Sequence, residues 1–98
     1  MYMKIHEVNN GRVVAACDKE LIGKVFEKNG ICIDLDTYKN FYMGDVVSED
    51  RLLKELGDFS SANLVGKKVV SVALKAGLVL EKEVRYINSI PYIQIYKI

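Results

Sequence analysis

Residues 63–77 read NLVGKKVVSVALKAG, and how this stretch folds decides what the rest of the chain must do. Val65, Val69, Val72, Ala73 and Ala76 recur at intervals of three and four, the spacing of one helix face. The stretch therefore reads as a helix over about 64–76, capped by Asn63 and closed by Gly77. Lys67, Ser71 and Lys75 stand four apart on the opposite side with Lys68 beside them, which makes the outer face of this helix basic.

Working outward from it, Ser48 is a good N-cap, with Glu49 and Asp50 in the first turn where the helix dipole favours acids. A helix over about 49–56 follows, its buried stripe formed by Leu52, Leu53 and Leu56. Toward the C-terminus, Val84 to Ile87 and Tyr92 to Ile98 alternate as strands around a loop at Asn88 to Pro91, pairing Ile87 with Tyr92. That register puts Val84, Tyr86, Ile93 and Ile95 on one face and Arg85, Tyr92, Gln94 and Tyr96 on the other.

The N-terminal half carries two Asn-Gly pairs, the dipeptide that best accepts the positive φ angles of a two-residue hairpin turn. Asn10-Gly11 predicts a hairpin in which Lys4 faces Cys17 and His6 faces Ala15. Asn29-Gly30 predicts a second, with Phe26 facing Ile33 and Glu27 facing Cys32. Between them, Asp18 is placed to cap a single helical turn over Lys19 to Ile22. The expected fold is α+β: antiparallel hairpins forming a mixed sheet with two helices, in one domain spanning 1–98.

Ninety-eight residues, 50% of them hydrophobic and 28% charged, suit a single globular unit with a modest stability margin, so a homodimer is one expectation. No apolar run approaches the roughly 20 residues that span a bilayer, and Met1 to Glu7 lacks a signal-peptide core; the expected location is the cytoplasm, with no membrane contact. Cys17 and Cys32 match no zinc spacing and read as free thiols, and no cofactor is expected. The net charge of +1 hides a division: eight basic residues face eleven acidic ones through Asp58, and six face two after it. An anionic partner is expected on the C-terminal part.

Three constellations bear on function. The segment from Asn63 through Gly66 to Lys67 and Lys68 has the form of a helix start that could hold a phosphate, although it lacks the spacing of a phosphate loop, and solvated lysines with a close-packed Gly66 are the plainer reading. Arg85, Tyr92, Gln94 and Tyr96 form a face suited to stacking bases and holding phosphates, or simply a packed strand surface. His6 and Cys17 are expected as diagonal neighbours in the first hairpin, with no third residue to complete a catalytic group.

Cys17-Asp18 leading into Glu20-Leu21-Ile22-Gly23-Lys24, then Ala62 to Gly66, then Ala76 to Val79, resemble a small archaeal family known as domain of unknown function number 424. The resemblance spans nearly the whole chain. It implies a short α+β protein with no catalytic residues to carry over, and a weak association with RNA or translation.

The leading expectation is a non-enzymatic module that contacts RNA or ribosomal components. Asn63, Gly66, Lys67, Lys68, Lys75 and Arg85 would meet phosphates, and Tyr92 and Tyr96 would meet bases. The alternatives are an adaptor or homo-oligomer docking through Phe41, Tyr42 and Met43, and a phosphate-ligand protein or small enzyme using the helix start. The RNA expectation requires these basic and aromatic side chains to share one continuous surface.

Overall fold

The computed structural model describes residues 1–9 and 11–97. Among these residues eight strands build two sheets: β1 (Tyr2–Val8), β2 (Gly11–Cys17), β3 (Val25–Lys28), β4 (Ile31–Asp34), β5 (Asp45–Val46), β6 (Ser61–Val65), β7 (Arg85–Ile87) and β8 (Ile90–Tyr96). The helices are α1 (Lys39–Tyr42), α2 (Glu49–Glu55) and α3 (Lys67–Lys75), with single 3₁₀ turns at Lys19–Leu21 and Glu81–Glu83. The main sheet runs β5-β1-β2-β6-β8-β7, mixed because β2 and β6 are parallel, while β3 and β4 form a separate hairpin. None of the helices among the described residues is long and apolar enough to cross a membrane.

The stretch that opens the sequence reading is divided in the structure. Asn63, Leu64 and Val65 belong to strand β6, and the helix begins only at Lys67. Asn63 is therefore not a helix cap. The misreading has a physical cause: the end of β6 is covered on both sheet faces, so Leu64 and Val65 are both buried, the alternation of Ser61 to Leu64 breaks off, and the apolar run merges with the helical pattern after it.

Gly66 marks the break. Its φ of 116° is open to glycine but strained for other residues, and a Cβ there would collide with the carboxylate of Asp18. That carboxylate is the true cap of α3. Asp18 is 3% exposed and accepts hydrogen bonds from the backbone N–H of Lys68 (3.1 Å) and Val69 (3.0 Å), while its own N–H donates to the Val65 carbonyl (3.0 Å). Asp18 stands before the 3₁₀ turn at Lys19, as the sequence suggested, but its side chain caps a helix fifty residues away instead.

Ser48 caps α2 as expected, accepting from the Arg51 N–H (3.2 Å). Both long helices cover one face of the sheet, burying Leu52, Val69 and Val70 against Met3, Val14, Leu64 and Ile93. The hairpin β3–β4 keeps the predicted register, with Phe26 opposite Ile33 and Glu27 opposite Cys32.

The other two hairpins are each shifted by two residues. In the first, Val8 pairs with Gly11, Lys4 with Ala15 and His6 with Val13, so the predicted Asn10-Gly11 turn moves back by one; Asn10 itself lies outside the described residues. In the last, Asn88 and Ser89 make the turn with φ of 49° and 67°, and Ile87 pairs with Ile90 rather than Tyr92. Pro91 sits within β8 because its main chain faces past the end of β6, where its carbonyl accepts from Gly66 N–H (2.8 Å) and no ladder donor is missed. The predicted strand end at Ile98 lies outside the described residues. A shift of two preserves which face each side chain takes.

Arg12 of β2 ties α2 to the sheet through a charge-assisted hydrogen bond to Glu55 and a second bond to the Asp58 carbonyl (3.0 Å). The bond from Arg12 holds the Glu55 carboxyl below the usual glutamate range; burial opposes it, and the charges of Arg12, Arg51 and Lys54 add to it.

Two outcomes follow. Asp18→Ala strands one buried and one part-buried N–H group and should cost about 2–3 kcal/mol, with Asp18→Asn intermediate and Gly66→Ala destabilising through backbone strain and collision; chemical denaturation midpoints measure each. Because the folded-state pKa of Glu55 is depressed, its contribution is complete above the ordinary glutamate value and lost as pH falls through the folded one. The Glu55→Gln variant should therefore be less stable than wild type at neutral pH and converge with it in acid, as read from urea midpoints across that window.

Candidate functional site

The sheet face away from α2 and α3 carries three rows of side chains set by the strand registers. Tyr2, Cys17, Val65, Tyr92 and Arg85 form the first row; Lys4, Ala15, Asn63 and Gln94 the second; His6, Val13, Ser61 and Tyr96 the third. Part of this face is covered. Leu21, Leu35, Phe26, Ile33 and Tyr42 pack over Cys17 and Val65 as a second, smaller core.

The cover stops short of the middle of the sheet, leaving a groove of about 750 Å³ between strand β4 with α1 on one side and β6, β8 and Arg85 on the other. Asn63 and Gln94 are cross-strand neighbours on its floor, and neither amide has a hydrogen-bond partner among the described residues. Tyr92 and Tyr38 supply aromatic surface to its walls. Glu83, Arg85 and Asp34 supply charge at the rim. The Asp34 carboxyl lies below the usual range because it accepts the backbone N–H of Thr37 (2.8 Å) and of Asp36 (3.0 Å).

Asn63, Arg85 and Tyr92 of the sequence-derived set thus meet at one groove, with Gln94 between them and Tyr96, 68% exposed, at the far end of the same face. Gly66, Lys67 and Lys68 follow directly from Val65, at the end of the sheet where Val65, Tyr92 and Arg85 are successive neighbours. Lys75 does not join them. It lies eight residues along α3, on the opposite layer, with its Nζ 3.7 Å from Glu49. The single continuous basic and aromatic surface expected from the sequence is therefore divided by the sheet. The helix start itself offers no vacant anion seat at Lys68 and Val69, whose N–H groups the Asp18 carboxylate already holds.

The apolar patch expected at Phe41, Tyr42 and Met43 is mostly turned inward. Phe41 stacks on His6 with ring centroids 4.5 Å apart, and Tyr42 packs into the smaller core, where burial pushes its hydroxyl up to about 12; of the three, Met43 is exposed. His6 Nε2 donates to the Phe41 carbonyl (2.8 Å). The register shift places Tyr2, not Lys4, opposite Cys17, and removes the expected His6 and Cys17 contact. The Cys17 thiol is pushed up to about 12, first by burial and then by the Asp18 charge, which makes it inert as a nucleophile. Among the described residues, no three His, Cys, Asp or Glu side chains converge to hold a metal ion.

The contribution of β4 and Tyr38 escaped the sequence reading. Strand β4 was legible, but nothing in a single chain's pattern says that its outer edge stands across from β8.

A mixed sheet with helices on one face and a hairpin-lined groove on the other defines a small α+β protein. The family model described as "Protein of unknown function (DUF424)" matches residues 6–98, and the chain belongs to that family. A similar fold occurs in the crystal structure of an uncharacterized conserved protein from Methanopyrus kandleri, 27% identical, with a TM-score of 0.79 over 97% of this chain and 89% of that one. The search of curated proteins finds no match.

The two thiols should separate cleanly. In the native protein a thiol reagent should label exposed Cys32 and spare Cys17, which becomes reactive only on denaturation; mass spectrometry of the labelled peptides measures this.

Proposed function

We propose that the protein is a non-enzymatic module that binds single-stranded RNA across the sheet face its helices leave free. The observation that carries the reading is the common face of Arg85, Tyr92, Gln94 and Tyr96, which borders an open groove instead of being covered by α2 or α3. Along β8, Tyr92, Gln94 and Tyr96 recur every two residues, about 6.8 Å apart. Tyr92 and Tyr96, about 13.6 Å apart, offer stacking surface for bases, and the amides of Asn63 and of Gln94 between them offer donors and acceptors. Arg85, with Lys67 and Lys68 at the same end of the sheet, supplies positive charge for the backbone. Lys75 has no part in this contact set. RNA or a ribosomal component is the partner, in the cytoplasm of an archaeal cell, where free thiols at Cys17 and Cys32 are at home.

Binding through three cations predicts that log K falls with log salt with a slope of about −2 for a single strand. Fluorescence anisotropy with labelled unpaired RNA should show this, and Arg85→Glu combined with Lys67→Glu and Lys68→Glu should remove binding while leaving the thermal transition in place. Absence of binding at low salt would refute the reading.

A further inference from the structure

The groove wall formed by β4 has an unusual character. Five consecutive residues, Ile31 to Leu35, line it. A strand's side chains alternate between two faces, so consecutive residues border one space only when the strand turns its main-chain edge toward it. The pairing pattern identifies the groups on that edge. Lys24 and Leu35 are bonded across the hairpin (Leu35 N–H to Lys24 carbonyl, 2.8 Å), and bonded pairs alternate, so Phe26 with Ile33 and Lys28 with Ile31 are bonded as well. The N–H and carbonyl groups of Cys32 and Asp34 therefore point away from β3, and among the described residues the β3–β4 sheet has no third strand to receive them.

We propose that this groove receives one unpaired base of the RNA, its hydrogen-bonding edge read by the main chain of Cys32 and Asp34 and by the amides of Asn63 and Gln94. The inference rests on the RNA reading and names the element that the RNA presents. Its size leaves room: ligand clefts run from about 300 to 1,000 Å³, and this one, at about 750 Å³, admits a base together with its sugar and phosphate. Every Watson–Crick edge sets a donor beside an acceptor, which a carbonyl at one residue and an N–H two residues on can satisfy together. Tyr92 and Tyr38 give the base an aromatic surface to stack on. An added peptide strand would seek the same edge, but two outward-facing residues are short for strand pairing, while they suffice for one base.

The discriminating experiment compares a labelled ten-nucleotide RNA with the same strand lacking its bases, alongside NMR titration with the four nucleoside monophosphates and with ribose 5-phosphate. The backbone amides of Cys32 and Asp34 should shift with nucleotides and not with ribose 5-phosphate, and the base-free strand should bind at least tenfold more weakly. Cys32→Pro removes an N–H that no ladder bond uses, a place where edge strands tolerate proline, and should lower affinity for the intact strand about tenfold, whereas Cys32→Ser keeps the N–H and should not. Equal binding of the intact and base-free strands, with those two amides unmoved, would overturn base reading and leave RNA binding through phosphates standing. If neither RNA nor nucleotides bind at low salt, the RNA reading and the base pocket fall together.

Discussion

The carboxylate of Asp18 holds the centre of this molecule together. It sits at the end of β2, is nearly inaccessible to water, and satisfies two N–H groups at the start of α3, which no residue of the adjoining loop reaches. Its backbone N–H meanwhile bonds to the last residue of β6. One residue, through its main chain and its carboxylate, thus locks the ends of two parallel strands to the helix that follows the second. The closeness of that carboxylate is why residue 66 must lack a side chain, and why a negative charge already occupies the positive end of α3. A helix start that reads from sequence as an anion site is an internal joint.

That joint fixes which side of the sheet can be used. With α2 and α3 committed to the face of Met3, Val14, Leu64 and Ile93, only the short β3–β4 hairpin and α1 are left to shield the other. They cover Cys17 and Val65 and come no further. Asn63 and Gln94, which would be costly to bury unpaired, lie where the cover ends and water reaches them. The groove is thus the remainder of an incomplete third layer, bounded on one side by an unpaired strand edge and on the other by the tyrosine-bearing strand β8.

Much of this was legible in the chain. Alternation assigned the face of every residue in the terminal hairpin correctly, because the actual register differs from the expected one by two and parity survives such a shift. Ser48 and the β3–β4 turn behaved as local chemistry dictates. The failures share a different cause. Leu64 and Val65 are buried one on each side of the sheet because this end of β6 is covered on both sides, and no local pattern separates such a strand end from the helix after it. Phe41 and Tyr42 look like an exposed patch in sequence and are instead the small cover's contact with β1 and the second core.

The sequence by itself determined the α+β class, the hairpins, the two main helical segments and the sidedness of Arg85, Tyr92, Gln94 and Tyr96, since each follows from periodicity, turn chemistry or capping within a few residues. Only the tertiary structure decided that Asp18 caps α3, that Lys75 is parted from Arg85 by the sheet, and that the edge of β4 faces Asn63 and Gln94. Those facts join segments that can lie fifty residues and more apart, and strand order and layer assignment are set by competition for burial across the whole chain rather than by any local pattern.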